Sequence, residues 1–125
     1  MSQLSYYCGH EHECTLFGNA DALKLAKSNV EKYYAVVGVL ENMEDTLRVL
    51  EQYVPDFFAG ALKVYHASPK KKTNQNMQKP QVSWTIKQLL AKNMTYEFDF
   101  YEFCRQRLYK QYLSINYNYI TLSLK

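Results

Sequence analysis

Four side chains able to ligate a metal fall close together near the N-terminus, in the string Cys8-Gly-His-Glu-His-Glu-Cys14. Thiolate and imidazole are the ligand types zinc prefers, so Cys8, His10, His12 and Cys14 form one candidate site. The spacing argues against it, because structural zinc sites usually draw two ligand pairs from separated segments. A local disulfide closing the loop needs only Cys8 and Cys14 and leaves His10 and His12 as solvated polar residues. Both readings stand on the residues alone. Cys104 is the third cysteine and has no partner in either, which suits a small core residue.

A second cluster is basic. Lys70, Lys71, Lys72 and Thr73, with Lys79 after them, lie in the polar stretch 66–81, which carries a proline near each end and no periodicity. Ammonium groups beside a hydroxyl can hold a phosphate or sulfate through charge-assisted hydrogen bonds. The alternative is a solvated loop kept soluble by its charge. Long irregular segments in compact domains are usually functional or disordered. The sequence contains no G-x-x-x-x-G-K-[ST] loop and no other Gly-rich phosphate cradle. Nothing in it supports a Ser-His-Asp or Cys-His arrangement. Asn93-Met94-Thr95 is an N-glycosylation sequon, which has meaning in a secretory protein.

The elements that must position these residues are legible as a coarse pattern. Tyr34 to Leu40 is a continuous, valine-rich apolar run, the signature of a strand buried on both faces of a parallel sheet. Asn42 is a candidate N-cap, with Glu44 and Asp45 in the first turn of a helix whose stripe is Met43, Leu47, Leu50 and Val54. Pro55 stops that helix. Residues 56–65 fit a further helical stripe ending at Tyr65. Upstream, Asn19 caps a helix reaching Tyr33, with Ala22, Leu25, Ala26, Asn29 and Val30 on one face. Ser83 caps a short helix from Trp84, and Thr95 opens a long one with acidic residues early and basic ones late. The closing residues 115–125 have β character. A strand followed by a helix is half of a βαβ unit, and such a run without neighbours is expected to leave apolar edges exposed.

Bulk properties narrow the class. At 125 residues the chain is one domain at most. A net charge of +3 gives no case for nucleic acid. No run approaches the roughly 20 apolar residues of a membrane-spanning helix, and the first ten residues do not read as a signal peptide. The twelve tyrosines suit sugar or partner contacts, and equally suit half-buried packing.

Taken jointly, the string Tyr6-Tyr7-Cys8-Gly9-His10-Glu11-His12-Glu13-Cys14, the Val37–Glu41 core of the apolar run, the Pro55–Gly60 turn and the Glu97–Phe103 segment resemble the uronyl and heparan sulfate 2-O-sulfotransferases. The resemblance runs from about Tyr6 to Phe103, is most specific from Cys8 to Tyr65, and is to the C-terminal portion of the sulfotransferase domain. It implies an α/β, P-loop-like sulfotransferase fold. This chain would be a mostly helical fragment of it, with one central parallel strand at Tyr34–Leu40, residues 1–113 forming part of the domain and 114–125 a divergent tail.

The resemblance further implies transfer of sulfate from PAPS to the 2-hydroxyl of a hexuronic acid in a glycosaminoglycan, with no metal. The family's enzymes are type II proteins of the Golgi membrane with a lumenal catalytic domain, and a homo-oligomer is compatible with it. That oxidising compartment implies a Cys8–Cys14 disulfide and a usable glycosylation site at Asn93. Tyr65 carries over to the family's nucleotide-side segment, and Lys71, Thr73 and Lys79 fall in the zone that holds the 3′-phosphate. The family's phosphosulfate loop, catalytic histidine and membrane anchor are expected upstream of the matched part. None of His10, His12 and His66 corresponds to the catalytic position, so no catalytic residue is assigned, and this polypeptide alone is expected to be inactive. The contrasting expectation is a non-catalytic helical binding module with zinc at Cys8, His10, His12 and Cys14.

Overall fold

A computed structural model of the chain describes residues 2–16, 18–68 and 80–123, with side chains as far as residue 117. In chain order the helices are α1 (Gln3–Cys8), α2 (His12–Thr15), α3 (Ala20–Tyr33), α4 (Met43–Tyr53), α5 (Pro55–Phe58), α6 (Ala61–Ala67), α7 (Trp84–Asn93) and α8 (Thr95–Ser123). A 3-10 turn, Leu40–Asn42, leads into α4.

Local chemistry explains several boundaries. The Asn19 side chain accepts from the backbone N–H groups of Asp21 at 2.8 Å and Ala22 at 3.3 Å, so α3 starts on a satisfied cap. Its buried face is Ala22, Leu23, Ala26 and Val30, and Leu25 is half-buried. Ser2 caps α1 and Ser83 caps α7 in the same manner. Asn42 does not act as the expected cap. It closes the 3-10 turn, donating its N–H to Val39 O at 3.1 Å, and its side chain makes no cap bond. The helix expected over residues 56–65 is two short ones, because Gly60 takes φ +80 between them and no side chain could follow it there cheaply. On α4 the fully buried positions are Thr46 and Val49, while Met43, Leu47, Leu50 and Val54 flank the seam half-buried.

α3, α1 and the first half of α8 enclose one apolar cluster, containing Leu4, Cys8, Ala26, Val30, Phe100 and Cys104. α4 packs on the middle of α8 through a second, of Val39, Val49 and Leu108. Residues 34–39 run between the two. Val37 enters the first cluster, while Val36 and Val39 belong to the second.

The strand expected at Tyr34 to Leu40 is therefore corrected. The segment is extended but pairs with no strand, and no strand occurs among the described residues. Side chains from helices take its backbone groups instead. Arg107 Nη2 donates to Tyr34 O at 2.8 Å, and Gln111 Nε2 to Ala35 O at 2.9 Å. The Thr46 hydroxyl donates to Val39 O and accepts from Val39 N, both at 3.0 Å. The run is apolar because helices bury it on two sides, so its expected exposed edges are covered at Val37 and Val39. Leu40 leaves the run for the 3-10 turn and is 81% exposed. The closing residues also differ from expectation, since α8 continues as helix through 115–123. β-propensity is a weak local preference, and helix propagation from a well-packed start overrides it.

Candidate functional site

The nucleotide-side candidates sit on and after α6. Gly60 turns the chain so that α6 lies against α4, and two contacts hold it there. Glu51 Oε1 accepts from the Leu62 backbone N–H at 2.8 Å, and Glu44 Oε1 meets His66 Nε2 at 2.5 Å. These place Tyr65 on the last turn, 41% exposed, with its ring centroid 5.9 Å from that of His66. An accessible aromatic face beside a basic segment can stack on a nucleobase. Lys71, Thr73 and Lys79 lie outside the described residues. In the sequence His66 opens the polar stretch 66–81. Its pairing with Glu44, across 22 positions, carries no local signal.

The cysteine loop is a disulfide. Cys8 and Cys14 are joined across a Cα separation of 5.5 Å, and both are buried. With both sulfurs in that bond neither is a thiolate, so the four-ligand zinc site of the alternative reading is not formed. His10 and His12 are exposed. Gly9, at φ +120, lets the chain leave α1 abruptly enough for the loop to close. Asn29 anchors the loop to α3, donating from Nδ2 to Cys8 O at 2.8 Å and to Tyr7 O at 3.1 Å. No pattern in the sequence marks Asn29 for this task. Cys104 is a free, buried thiol, and burial pushes it up to about 11 against the opposing influence of Arg107. It is inert at neutral pH.

Asn93 ends α7 in an exposed position beside a cleft of about 560 Å³ that Gly18, Lys92, Thr95 and Tyr96 also line. Thr95 Oγ1 donates to Lys92 O at 3.1 Å. Another cleft, of about 430 Å³, runs along the extended segment between Tyr6, Tyr7, Phe100 and Tyr101. Tyr101 donates to Glu41 Oε2 at 3.1 Å, and burial, then that carboxylate, raises its hydroxyl above the ordinary value. Among the described residues, the backbone N–H and C=O groups of Val36, Val37 and Gly38 have no hydrogen-bond partner. No group of three or more metal-ligating side chains occurs among the described residues, and no helix there is long and apolar enough to cross a membrane.

No family model matches the chain. Individual proteins do. A uronyl 2-sulfotransferase homolog of Drosophila melanogaster is 39% identical over 118 residues, covering 92% of this chain and 23% of its own length. The uronyl 2-sulfotransferase of Mus musculus is 33% identical over 85% of this chain and 26% of its own. A heparan sulfate 2-O-sulfotransferase of Xenopus laevis is 35% identical over 84% of this chain and 30% of its own. The chain thus spans roughly a quarter of the length of the curated relatives it matches. Such identity across most of the chain makes it a member of the uronyl and heparan sulfate 2-O-sulfotransferase family.

Proposed function

We propose that the chain forms part of a PAPS-dependent glycosaminoglycan 2-O-sulfotransferase and contributes the nucleotide-side arm of its site. The observation that carries this reading is homology to such enzymes over 84–92% of the chain. The donor supplies an activated sulfuryl group, and the acceptor is the 2-hydroxyl of a uronic acid in heparan or dermatan/chondroitin sulfate. In this reading α6 presents Tyr65 to the adenine, and Lys71, Thr73 and Lys79 hold the 3′-phosphate by charge-assisted hydrogen bonds. The chain assigns no base and no nucleophile of its own.

Two further parts of the proposal have support in the packing. The free backbone groups of Val36, Val37 and Gly38 beside an open cleft suit pairing with a strand of an α/β sheet. The disulfide suits an oxidising compartment, here the Golgi lumen, in which the exposed Asn93 could carry a glycan.

Calorimetric titration of adenosine 3′,5′-bisphosphate tests the arm. Binding by the chain, weakened about tenfold in Lys71→Ala by loss of one charge-assisted contact and reduced in Tyr65→Ala, is expected. Equal affinity of all three proteins, or none in any, overturns the assignment of these residues.

A further inference from the structure

α4, α6 and α8 enclose a pocket of about 280 Å³ that the nucleotide-side reading leaves unused. Arg48 and Gln52 reach it from α4, one turn apart, and Tyr112 and Asn116 reach it from α8, also one turn apart. Arg48 and Gln52 are exposed; Tyr112 and Asn116 are half-buried. None of the four side chains makes a hydrogen bond or ion pair among the described residues. Unspent donors from two helices therefore converge on one volume. Leu62 and Ile115 supply apolar wall between them.

From this arrangement we infer that the pocket is a binding subsite for one anionic sugar unit of a polysaccharide, with the carboxylate or sulfate on Arg48. A guanidinium matches either group with two parallel N–H bonds. Gln52, Asn116 and the Tyr112 hydroxyl suit the sugar hydroxyls, and the apolar wall suits the C–H face of the ring. The volume lies below the range of roughly 300–1,000 Å³ typical of drug-sized ligands, which fits one unit of a chain that passes across the surface. Glu51 lines the same pocket, and its carboxylate is engaged by the Leu62 N–H at 2.8 Å. Its charge repels an anion on that wall and so favours placement at Arg48. Leu62 lies on the same short helix as Tyr65, so the subsite adjoins the nucleotide-side arm.

This inference rests on the glycosaminoglycan part of the proposed function, and its test is separable from the nucleotide titration. A heparin-derived tetrasaccharide is titrated onto the full chain, with neutral maltotetraose as the control. Arg48→Ala is expected to weaken tetrasaccharide binding about tenfold, Arg48→Lys less, and Asn116→Ala a few-fold, while affinity for adenosine 3′,5′-bisphosphate stays unchanged. Arg48 is exposed, and Arg48→Lys and Asn116→Ala keep the test valid should Arg48→Ala unfold. The subsite is overturned if all three variants bind the tetrasaccharide like the parent chain. It is also overturned if maltotetraose binds equally well, or if the parent chain binds neither sugar. Loss of nucleotide binding with an intact Arg48 effect would refute the nucleotide arm and leave the subsite standing.

Discussion

Gly38 and Thr46 form the tightest test of how this fold is held. A Cβ added at Gly38 would stand 2.5 Å from Thr46 Cγ2, closer than carbon atoms approach without displacement. Thr46 cannot rotate away freely, because its hydroxyl is bonded to both the N–H and the C=O of Val39 at 3.0 Å. Gly38→Ala must then either break those bonds or push the extended segment off α4. Two hydrogen bonds at about 0.5–1.5 kcal/mol each, or an overpacking strain of about 1–3 kcal/mol, give an expected loss of roughly 1–3 kcal/mol. Thr46→Ser keeps the hydroxyl and removes the clashing methyl. Alone it should cost about 1 kcal/mol for the lost buried methyl group. The double variant Gly38→Ala/Thr46→Ser should therefore be more stable than the sum of the two changes by more than 1 kcal/mol, a coupling that a double-mutant cycle resolves. Urea unfolding followed by far-UV circular dichroism gives the four free energies, with equal m-values as the check on two-state behaviour. Strict additivity would refute the claim that the bonded Thr46 side chain is what keeps position 38 free of a Cβ.

Two further outcomes follow from the cysteines. Reducing the Cys8–Cys14 bond, or replacing both residues by serine, should cost about 2 kcal/mol by the chain-entropy relation for a loop this short; comparing urea midpoints with and without reductant measures it, and unchanged midpoints would contradict it. Cys104 gives a pH dependence with a definite sign. Its folded-state value of about 11 lies above that of an ordinary thiol, so folding favours the protonated form. The associated stability is complete below the unfolded thiol's value and is lost as pH climbs from there towards 11. Cys104→Ala should flatten the alkaline limb of a stability–pH profile, and iodoacetamide should label the native thiol slowly at pH 8 compared with the unfolded chain. Rapid native labelling would show the thiol to be accessible.

Much of the candidate site was legible because it depends on local chemistry. The closely spaced cysteines, the basic stretch and the sequon are read directly from neighbouring residues, whereas Tyr65 is marked only by the family resemblance. What holds them was not. Asn29 closes the cysteine loop onto α3 from 21 positions away, and Glu44 and Glu51 hold α6 through contacts that span 22 and 11 positions. Arg48 meets Tyr112 and Asn116 only because α8 brings them to the same pocket, a contact that no local pattern carries.

The sequence by itself determined where helices could begin and end, since caps such as Asn19 and breakers such as Pro55 act within a few residues. It determined that the valines of the 34–40 run would seek cover, and Val37 and Val39 are buried while Val36 is half-buried. Only the tertiary structure decided what buries that run. An unbroken apolar string encodes a demand for cover, and a sheet or a pair of helices can meet it equally well. Here helices meet it, with Thr46, Arg107 and Gln111 hydrogen-bonding the two ends of the run at Val39, Tyr34 and Ala35. Gly38 fits the same logic, since its missing Cβ is what lets Thr46 approach.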